Sequence, residues 1–197
     1  MSELRADTLL CAYSVGIFPM ANDRDDHEIF WVEPKRRGIL PLDGFHVPRS
    51  LRRTIRKHRF DVRCDHDFEA VIRACAEPTP TRPRTWLNDD LIEAYCDLAA
   101  AGHAHSVECW QDDRLVGGLY GVAMGAAFFG ESMFTRLPDA SKVALVALVE
   151  RLKDRGFRLL DSQFMTDHLR QFGGREVDRD TYRRLLRAAL LTNARFR

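Results

Sequence analysis

Apolar residues recur at three- to four-residue spacing in four stretches of the chain, and this period predicts amphipathic helices. The first stretch covers residues 67–75 and starts with an Asp, which is a favoured N-cap residue. The second covers 89–101 and is followed by a Gly, the residue that most often ends a helix. The third and fourth helices are expected at 139–156 and 179–190.

The segments between the last three helices have the composition of strands. Residues 104–110, 115–124 and 126–133 are separated by short turns and predict three consecutive antiparallel strands. A further strand is expected at 157–163 and a short one at 175–177. The order β-β-β-α-β-α is that of the acetyltransferase-like (GNAT-type) fold, in which a mixed sheet with a splayed centre holds an acyl donor. The predicted class is therefore α+β, although a fold alone does not give a function.

Three glycines, Gly117, Gly118 and Gly121, interrupt the predicted strand 115–124. A glycine inside a strand usually marks a bulge or a close approach of another group to the backbone. We therefore expect this strand to be irregular and to line a ligand site.

Polar side chains lie inside two apolar runs that are about thirty residues apart. Glu131 lies within one apolar strand, and Asp161 and Gln163 lie at the end of another. Buried polar groups are costly unless they have partners. Glu131, Asp161 and Gln163 form either a hydrogen-bonded network of the core or a site for catalysis and substrate recognition. We look for the functional site here.

Positive charge is concentrated near the N-terminus, although the net charge of the chain is only +1. Residues 35–63 contain two acids, Asp43 and Asp61, against the following ten bases: Lys35, Arg36, Arg37, Arg49, Arg52, Arg53, Arg56, Lys57, Arg59 and Arg63. A short helix within 47–59 would carry most of them. A solvated helix face usually mixes charge signs, whereas this one repels itself unless a polyanion binds to it. Phosphate contacts of this kind give affinity without reading sequence.

Trp86 follows a proline-rich segment and lies near Arg82 and Arg84. An indole beside guanidinium groups suits stacking on a single-stranded base, and core packing explains it equally well.

Several classes of protein are not supported by the sequence. The five cysteines are odd in number and form no C-x-x-C pair, which argues against a disulfide framework or a zinc site. His103 and His105 lack a third metal ligand at a convincing spacing, and no phosphate-binding glycine loop occurs. The uncharged run 8–20 is too short for a membrane span and lacks a basic start. We expect a soluble, cytoplasmic protein of one large or two unequal domains.

A series of motifs resembles the successive blocks of the leucyl/phenylalanyl-tRNA–protein transferase family. In chain order they are Ala12-Tyr13-Ser14-Val15-Gly16-Ile17-Phe18-Pro19, Pro48-Arg49-Ser50, Thr85-Trp86, Gly102-His103-Ala104-His105-Ser106-Val107-Glu108, Val116-Gly117-Gly118-Leu119-Tyr120-Gly121-Val122, Phe129-Gly130-Glu131-Ser132-Met133-Phe134, Ala140-Ser141-Lys142 and Asp161-Ser162-Gln163. The blocks extend over nearly the whole chain, and several are long and unusual.

The resemblance implies an enzyme that moves leucine or phenylalanine, with methionine as a further candidate donor, from aminoacyl-tRNA to the α-amine of proteins that begin with Arg or Lys. This reaction marks those proteins for degradation under the N-end rule. It further implies a monomer without metal or cofactor, with a small N-terminal α/β domain over residues 1–60 and a GNAT-type catalytic domain over 61–197.

The resemblance also implies the roles of particular residues. Asp161 and Gln163 are the catalytic relay, with Asp161 either a true base or only an orienting group, and Glu131 is the acid near the acceptor. The donor side chain enters an apolar pocket formed by Leu119, Phe128, Met133, Leu145, Leu148 and Leu160. The tRNA contacts Trp86, Arg49, Arg52, Arg53, Arg56 and Lys57. Met20 replaces an aromatic residue of the family, which leaves Trp86 as the single stacking platform.

Two other functions fit parts of the sequence. An acyl-CoA-dependent N-acetyltransferase would share the fold, but no glycine-containing pyrophosphate segment opens the helix at Ser141. An RNA-binding module would explain the basic segment and leave Glu131, Asp161 and Gln163 without a role.

Overall fold

Helices and strands are mixed along the chain in the computed structural model, which describes residues 4–80 and 83–197. The helices of this part are α1 (Ala6–Ser14), α2 (Arg49–Arg56), α3 (Phe68–Ala76), α4 (Asp89–Ala100), α5 (Ala140–Asp154), α6 (Asp167–Arg170) and α7 (Arg179–Leu190). The strands are β1 (Phe18–Ala21), β2 (Ile29–Val32), β3 (Arg36–Leu40), β4 (Asp61–Cys64), β5 (Ala104–Gln111), β6 (Arg114–Met124), β7 (Ala127–Thr135), β8 (Leu159–Gln163) and β9 (Arg175–Asp178).

The predicted β-β-β-α-β-α order of the second half is confirmed. Strands β5, β6 and β7 pair antiparallel, α5 crosses over, and β8 pairs parallel to β7. Among the described residues, the large sheet has seven strands in the order β4-β5-β6-β7-β8-β3-β9, and β1 and β2 form a separate hairpin. The α+β class with a mixed, GNAT-type sheet is therefore confirmed.

The sheet opens at its centre because the pairing of β7 with β8 stops early. The last partners are Phe129 and Asp161, so beyond this point the two strands no longer pair with each other. On the other side of β7, the register with β6 shifts between Tyr120 and Gly121. A Cβ at Gly121 would lie 2.2 Å from the carbonyl oxygen of Phe129, so only glycine fits the bulge. The irregular strand predicted from the glycines is confirmed.

Helices cover both faces of the sheet and give two apolar clusters. Helices α1, α3, α4 and α7 bury one cluster, around Tyr13, Tyr95 and Phe129. Helices α2 and α5 bury the other, around Leu51, Leu145 and Leu148. The splayed strands β7 and β8 lie between the two clusters, so a side chain that points into the gap meets packed protein on both faces.

The N-terminal part contributes to both sheets. The hairpin β1–β2 is separate, whereas β3 lies between β8 and β9 in the large sheet. The division of the chain at residue 60 stays a prediction. Within the two described ranges, no helix has both the length and the apolar character needed to cross a membrane.

Candidate active site

A cavity of about 390 Å³ opens where β7 and β8 diverge. Its apolar part includes five of the six predicted pocket residues, namely Leu119, Met133, Leu145, Leu148 and Leu160. Phe128 does not line it. Its ring is fully buried one step earlier in the strand pairing, where it stacks on Phe196 with centroids 5.5 Å apart. The polar groups of the cavity wall include Glu131, Asp161 and Gln163, so the structure brings the predicted trio together.

Asp161 is completely buried and is held by an ion pair with Arg37, whose side chain is 1% exposed. Arg37 Nε donates to Asp161 Oδ1 at 2.9 Å, and Arg37 Nη2 donates to Oδ2 at 2.7 Å. Tyr182 donates a third hydrogen bond, 2.6 Å long, to Oδ2. The guanidinium also lies 4.6 Å from the ring centroids of Phe18 and Tyr182. Both carboxylate oxygens are therefore occupied by donors.

Gln163 has an unusual backbone conformation that Asp161 maintains. Its φ is +62°, in the left-handed region that costs a non-glycine residue about 1 to 2 kcal/mol. The backbone N–H of Gln163 donates to Asp161 Oδ1 at 2.8 Å, which ties the turn to the buried ion pair. The conformation directs the carboxamide towards β7, and Asp161 acts on the carboxamide through the backbone.

The carboxamide of Gln163 is oriented by Glu131. Gln163 Nε2 donates to Glu131 Oε1 at 2.7 Å. A carboxylate can only accept hydrogen bonds, so this contact fixes which end of the amide carries the NH₂ group. The carbonyl oxygen of Gln163 is then the end that remains available to a ligand in the cavity.

Two tyrosines hold the Glu131 carboxylate from the opposite side. Tyr13 donates to Oε1 at 2.6 Å and Tyr95 donates to Oε2 at 3.1 Å, while the two hydroxyls lie 2.6 Å apart. Burial raises the pKa of Glu131 from its ordinary value to about 7, although the hydrogen bonds from Tyr13, Gln163 and Tyr95 act in the other direction. The negative charge of Asp161 adds to the increase. Glu131 can thus change its protonation state near neutral pH.

Two further residues of the cavity wall carry buried hydroxyls. Tyr120 and Ser162 both line the cavity, and their buried oxygen atoms have no hydrogen-bond partner among the described residues. A buried hydroxyl without a partner is costly.

The predicted basic helix is α2, and its charged side chains are exposed. They are Arg49, Arg52, Arg53 and Arg56, together with Lys57, the residue that caps the end of the helix. Leu51 anchors the helix in the apolar cluster that contains the cavity leucines, and Thr54 donates to Asp139 beside the start of α5. Arg37, which the sequence pattern assigned to the same basic surface, is instead the buried partner of Asp161. The exposed cations therefore lie on a helix that packs in the same apolar cluster as the cavity leucines and contacts the start of α5.

Trp86 lies in the cavity wall, partly exposed, together with Phe18 and Met20. Its carbonyl accepts a hydrogen bond from Ala21 of β1 at 3.3 Å, which joins the tryptophan to the hairpin. Arg84 is exposed and pairs with Asp23, and Arg82 lies outside the described residues. Trp86 thus combines a packed edge with a surface that a ligand can reach.

Four residues of the site received no role at the site from the sequence: Arg37, Tyr13, Tyr95 and Tyr182. Each tyrosine lies on the apolar face of a helix, where it resembles an ordinary core residue. A signal was nevertheless present, because a buried tyrosine hydroxyl needs a hydrogen-bond partner. Three buried tyrosine hydroxyls and two carboxylates without assigned partners would have suggested that these groups bind one another.

The histidines near β5 do not form a metal site. His105 is buried and its Nδ1 lies 2.9 Å from Asp65, which also accepts from Ser106 and Arg197. Across residues 4–80 and 83–197, no group of three or more His, Cys, Asp or Glu side chains has an arrangement that could hold a metal ion.

Comparisons with known proteins identify the family. The sequence profile described as "Leucyl/phenylalanyl-tRNA protein transferase" matches residues 39–187, and that of the corresponding N-terminal domain matches residues 2–35. The leucyl/phenylalanyl-tRNA–protein transferase of Paramagnetospirillum magneticum is 60% identical over 196 residues, which are 100% of this chain and 94% of the relative. The protein of the same name from Rhizorhabdus wittichii is 57% identical over 190 residues, which are 96% of this chain and 77% of the relative.

Solved structures show a similar fold at low sequence identity. L-PGS from Bacillus licheniformis has a TM-score of 0.51 and 11% identity, over 79% of this chain and 65% of that one. A ribosomal-protein-alanine N-acetyltransferase from Brucella melitensis biovar Abortus 2308 has a TM-score of only 0.40 and 14% identity, over 58% of this chain and 87% of that one. The first likeness concerns the fold alone, and the second is too weak to carry an inference.

The family assignment rests on the sequence profiles and the two relatives, which together cover the splayed strands and every residue of the predicted trio. The chain belongs to the leucyl/phenylalanyl-tRNA–protein transferase family.

Proposed function

We propose that this chain transfers leucine or phenylalanine from its aminoacyl-tRNA to the α-amine of proteins that begin with Arg or Lys. The observation that carries the proposal is the cavity between β7 and β8, in which an apolar wall meets a carboxamide and a carboxylate. An apolar wall suits the donor side chain, and the polar end suits a positively charged acceptor. Family membership supports the same reaction.

The donor pocket selects for apolar side chains without a branch at Cβ. Leucines 119, 145, 148 and 160 together with Met133 form its wall. These flexible or γ-branched side chains accommodate leucine, phenylalanine or methionine. Discrimination by apolar shape is worth about 1 to 3 kcal/mol per methylene-sized difference, so the pocket admits more than one donor.

The acceptor amine binds at the polar end of the cavity. The carbonyl oxygen of Gln163 accepts a hydrogen bond from the amine, and this bond orients the lone pair of the amine nitrogen towards the ester carbonyl carbon. Glu131 supplies negative charge for the cationic N-terminal residue, since Asp161 is already paired with Arg37. The aminoacyl ester is already activated, so positioning provides most of the rate enhancement. Asp161 is a positioning residue, because its oxygens are fully engaged and it acts on Gln163 through the backbone.

The tRNA binds across α2, with its terminal base near Trp86. Five exposed cations on one short helix and its C-cap residue attract phosphates, and the first turn of that helix carries no acidic residue. Trp86 offers a stacking surface at the cavity wall, while Met20 beside it gives only apolar contact. In this proposal the protein acts as a cytoplasmic monomer without metal or cofactor, and its products enter N-end-rule degradation.

Replacing Arg53 of α2 and Lys57 at its C-cap with Gln should weaken tRNA binding and leave the chemistry intact. Both side chains are exposed, so folding should not suffer. Each lost phosphate contact lowers the slope of log K against log salt by about 1, so a decrease of about 2 is expected for the double variant. Filter binding at several salt concentrations measures the slope. Replacing Arg184 and Arg187 of α7, which are also exposed, gives the matched control. An equal change in both variants would contradict binding at α2.

A transfer assay tests the proposed function directly. The protein is mixed with labelled phenylalanyl-tRNA and a peptide that begins with Arg, and the label is followed into the peptide. We expect transfer that stops when the tRNA is digested beforehand. Labelled acetyl-CoA replaces the charged tRNA in a parallel reaction. Acetylation of the peptide without transfer from tRNA would replace the proposal with an N-acetyltransferase, and tRNA binding without transfer would reduce it to an RNA-binding function.

A further inference from the structure

We infer that Glu131 removes a proton from the acceptor's α-ammonium, while Asp161 remains an ion-pair partner and takes no proton. The inference rests on the proposed function and assigns the proton acceptor of that reaction. Gln163 cannot be this group, because a carboxamide does not take up a proton at neutral pH. The choice therefore lies between the two carboxylates of the cavity wall.

The surroundings of Asp161 exclude it as the acceptor. Its side chain is 0% exposed, and its oxygens accept hydrogen bonds from Arg37, Tyr182 and the backbone of Gln163. A proton placed on Asp161 would break the ion pair and leave the guanidinium of Arg37 buried without its counter-charge. An uncompensated buried charge is strongly unfavourable, so this protonation opposes folding.

Glu131 has the geometry that Asp161 lacks. Its side chain is only half-buried, and it lines the cavity. Its donors, Tyr13, Tyr95 and the Gln163 amide, are neutral, so protonation breaks no ion pair. Glu131 Oε1 lies 2.7 Å from Gln163 Nε2, and both residues line the cavity. In this assignment the amine that binds the Gln163 carbonyl oxygen also contacts the Glu131 carboxylate.

The charged and titratable groups that face Glu131 act on its proton uptake in both directions, since burial and the charge of Asp161 favour it and the hydrogen bonds from Tyr13 and Tyr95 oppose it. These groups are Tyr13 on α1, Tyr95 on α4, Tyr120 on β6, Asp161 on β8, Arg37 on β3 and Tyr182 on α7. Burial raises the pKa of Tyr13, Tyr95 and Tyr120 well above its usual value, so these hydroxyls stay protonated as donors. The pKa of Glu131, raised by burial to about 7, lies close to that of an α-amine, roughly 7.7 to 8.0. Proton transfer between groups of such similar pKa is efficient.

The proton balance of the reaction is complete with this assignment. The α-ammonium gives one proton to the Glu131 carboxylate and becomes a neutral amine. The nitrogen lone pair forms a bond to the ester carbonyl carbon, and the C–O bond to the ribose then breaks. The ribose oxygen leaves with that electron pair and takes the second proton of the nitrogen. The third proton stays on the new amide, and Glu131 returns its proton to water through the open cavity.

The pH dependence of the Glu131→Gln variant tests the inference. With acceptor peptide at saturation, kcat of the wild-type protein should rise with pH through a midpoint near 7. The variant can use only amine that is already neutral, about a tenth to a sixth of the total at pH 7, whereas the wild type works at about half its maximum there, so the kcat of the variant should be about 3- to 6-fold lower. The deficit should shrink above pH 9. It should also shrink at pH 7 for a peptide with an N-terminal aminooxy group, which is neutral at that pH.

The controls separate the possible outcomes. Asp154→Asn removes one exposed carboxylate of α5 and should leave the profile unchanged. A Glu131→Gln deficit that is equal at every pH and for both peptides would overturn the inference and leave the proposed function standing. Absence of transfer by the wild-type protein would overturn both. Carboxyl-¹³C NMR of the wild-type protein gives an independent check, because a titration midpoint of Glu131 below pH 5 would contradict the assignment even if the variant failed to fold.

Discussion

The Asp161→Ala variant should be less stable than the wild-type protein by about 3 to 5 kcal/mol, and its transfer rate should fall by about 100-fold or more. The loss of stability follows from Arg37, which would remain buried without its carboxylate partner. The loss of activity follows from Gln163, whose left-handed backbone would no longer be held by the bond to Asp161 Oδ1. Denaturant unfolding and single-turnover transfer measure the two effects.

A double variant separates these two consequences. In Arg37→Met with Asp161→Leu, apolar side chains replace the buried ion pair, so part of the lost stability should return. Transfer should stay low, because nothing then fixes the turn at Gln163. Recovery of the wild-type transfer rate together with stability would show that Asp161 serves the core only and does not position the carboxamide.

Gln163→Asn should reduce transfer by about 100-fold with little change in the free energy of unfolding. Asparagine tolerates the left-handed region better than most residues, so the backbone at φ +62° should keep its conformation. The side chain of Asn is one methylene shorter than that of Gln. From the same backbone position its carboxamide cannot reach Glu131, which Gln163 Nε2 contacts at 2.7 Å. The rate is measured in a single turnover and the stability by denaturant unfolding.

Thr166→Ser provides a matched control for this substitution. Thr166 also lines the cavity, and shortening it removes one methyl group without touching the carboxamide. Transfer by that variant should stay within a few-fold of the wild-type rate. A Gln163→Asn variant with wild-type activity would show that the carboxamide does not hold the acceptor amine.

The polar trio was accessible from the sequence because its members interrupt apolar runs. Glu131, Asp161 and Gln163 stand out in β7 and β8, and the order of elements around them predicted the part of the sheet from β5 to β8. Such a pattern identifies residues that need partners, and it does not identify the partners. Arg37 and Asp161 are 124 positions apart in the chain, so no local period connects them.

The first third of the chain was harder to predict for the same reason. Strand β3 is only five residues long, and its partners β8 and β9 are more than a hundred residues away. By sequence alone, Arg36 and Arg37 therefore belong to one basic stretch. In the strand, successive side chains point to opposite faces, so Arg36 is exposed and Arg37 is buried. Phe128 was assigned to the pocket because of its neighbours on β7, but the cavity starts only where the strands separate.

The most direct measurement of the central claim is tandem mass spectrometry of a peptide that begins with Arg, after incubation with the protein and phenylalanyl-tRNA. The peptide should gain one phenylalanine residue, linked through an amide bond to the α-nitrogen of its first residue. The same peptide with an acetylated N-terminus should remain unchanged. Phenylalanine found on a side chain, or an unmodified peptide in the presence of intact charged tRNA and folded protein, would contradict the account.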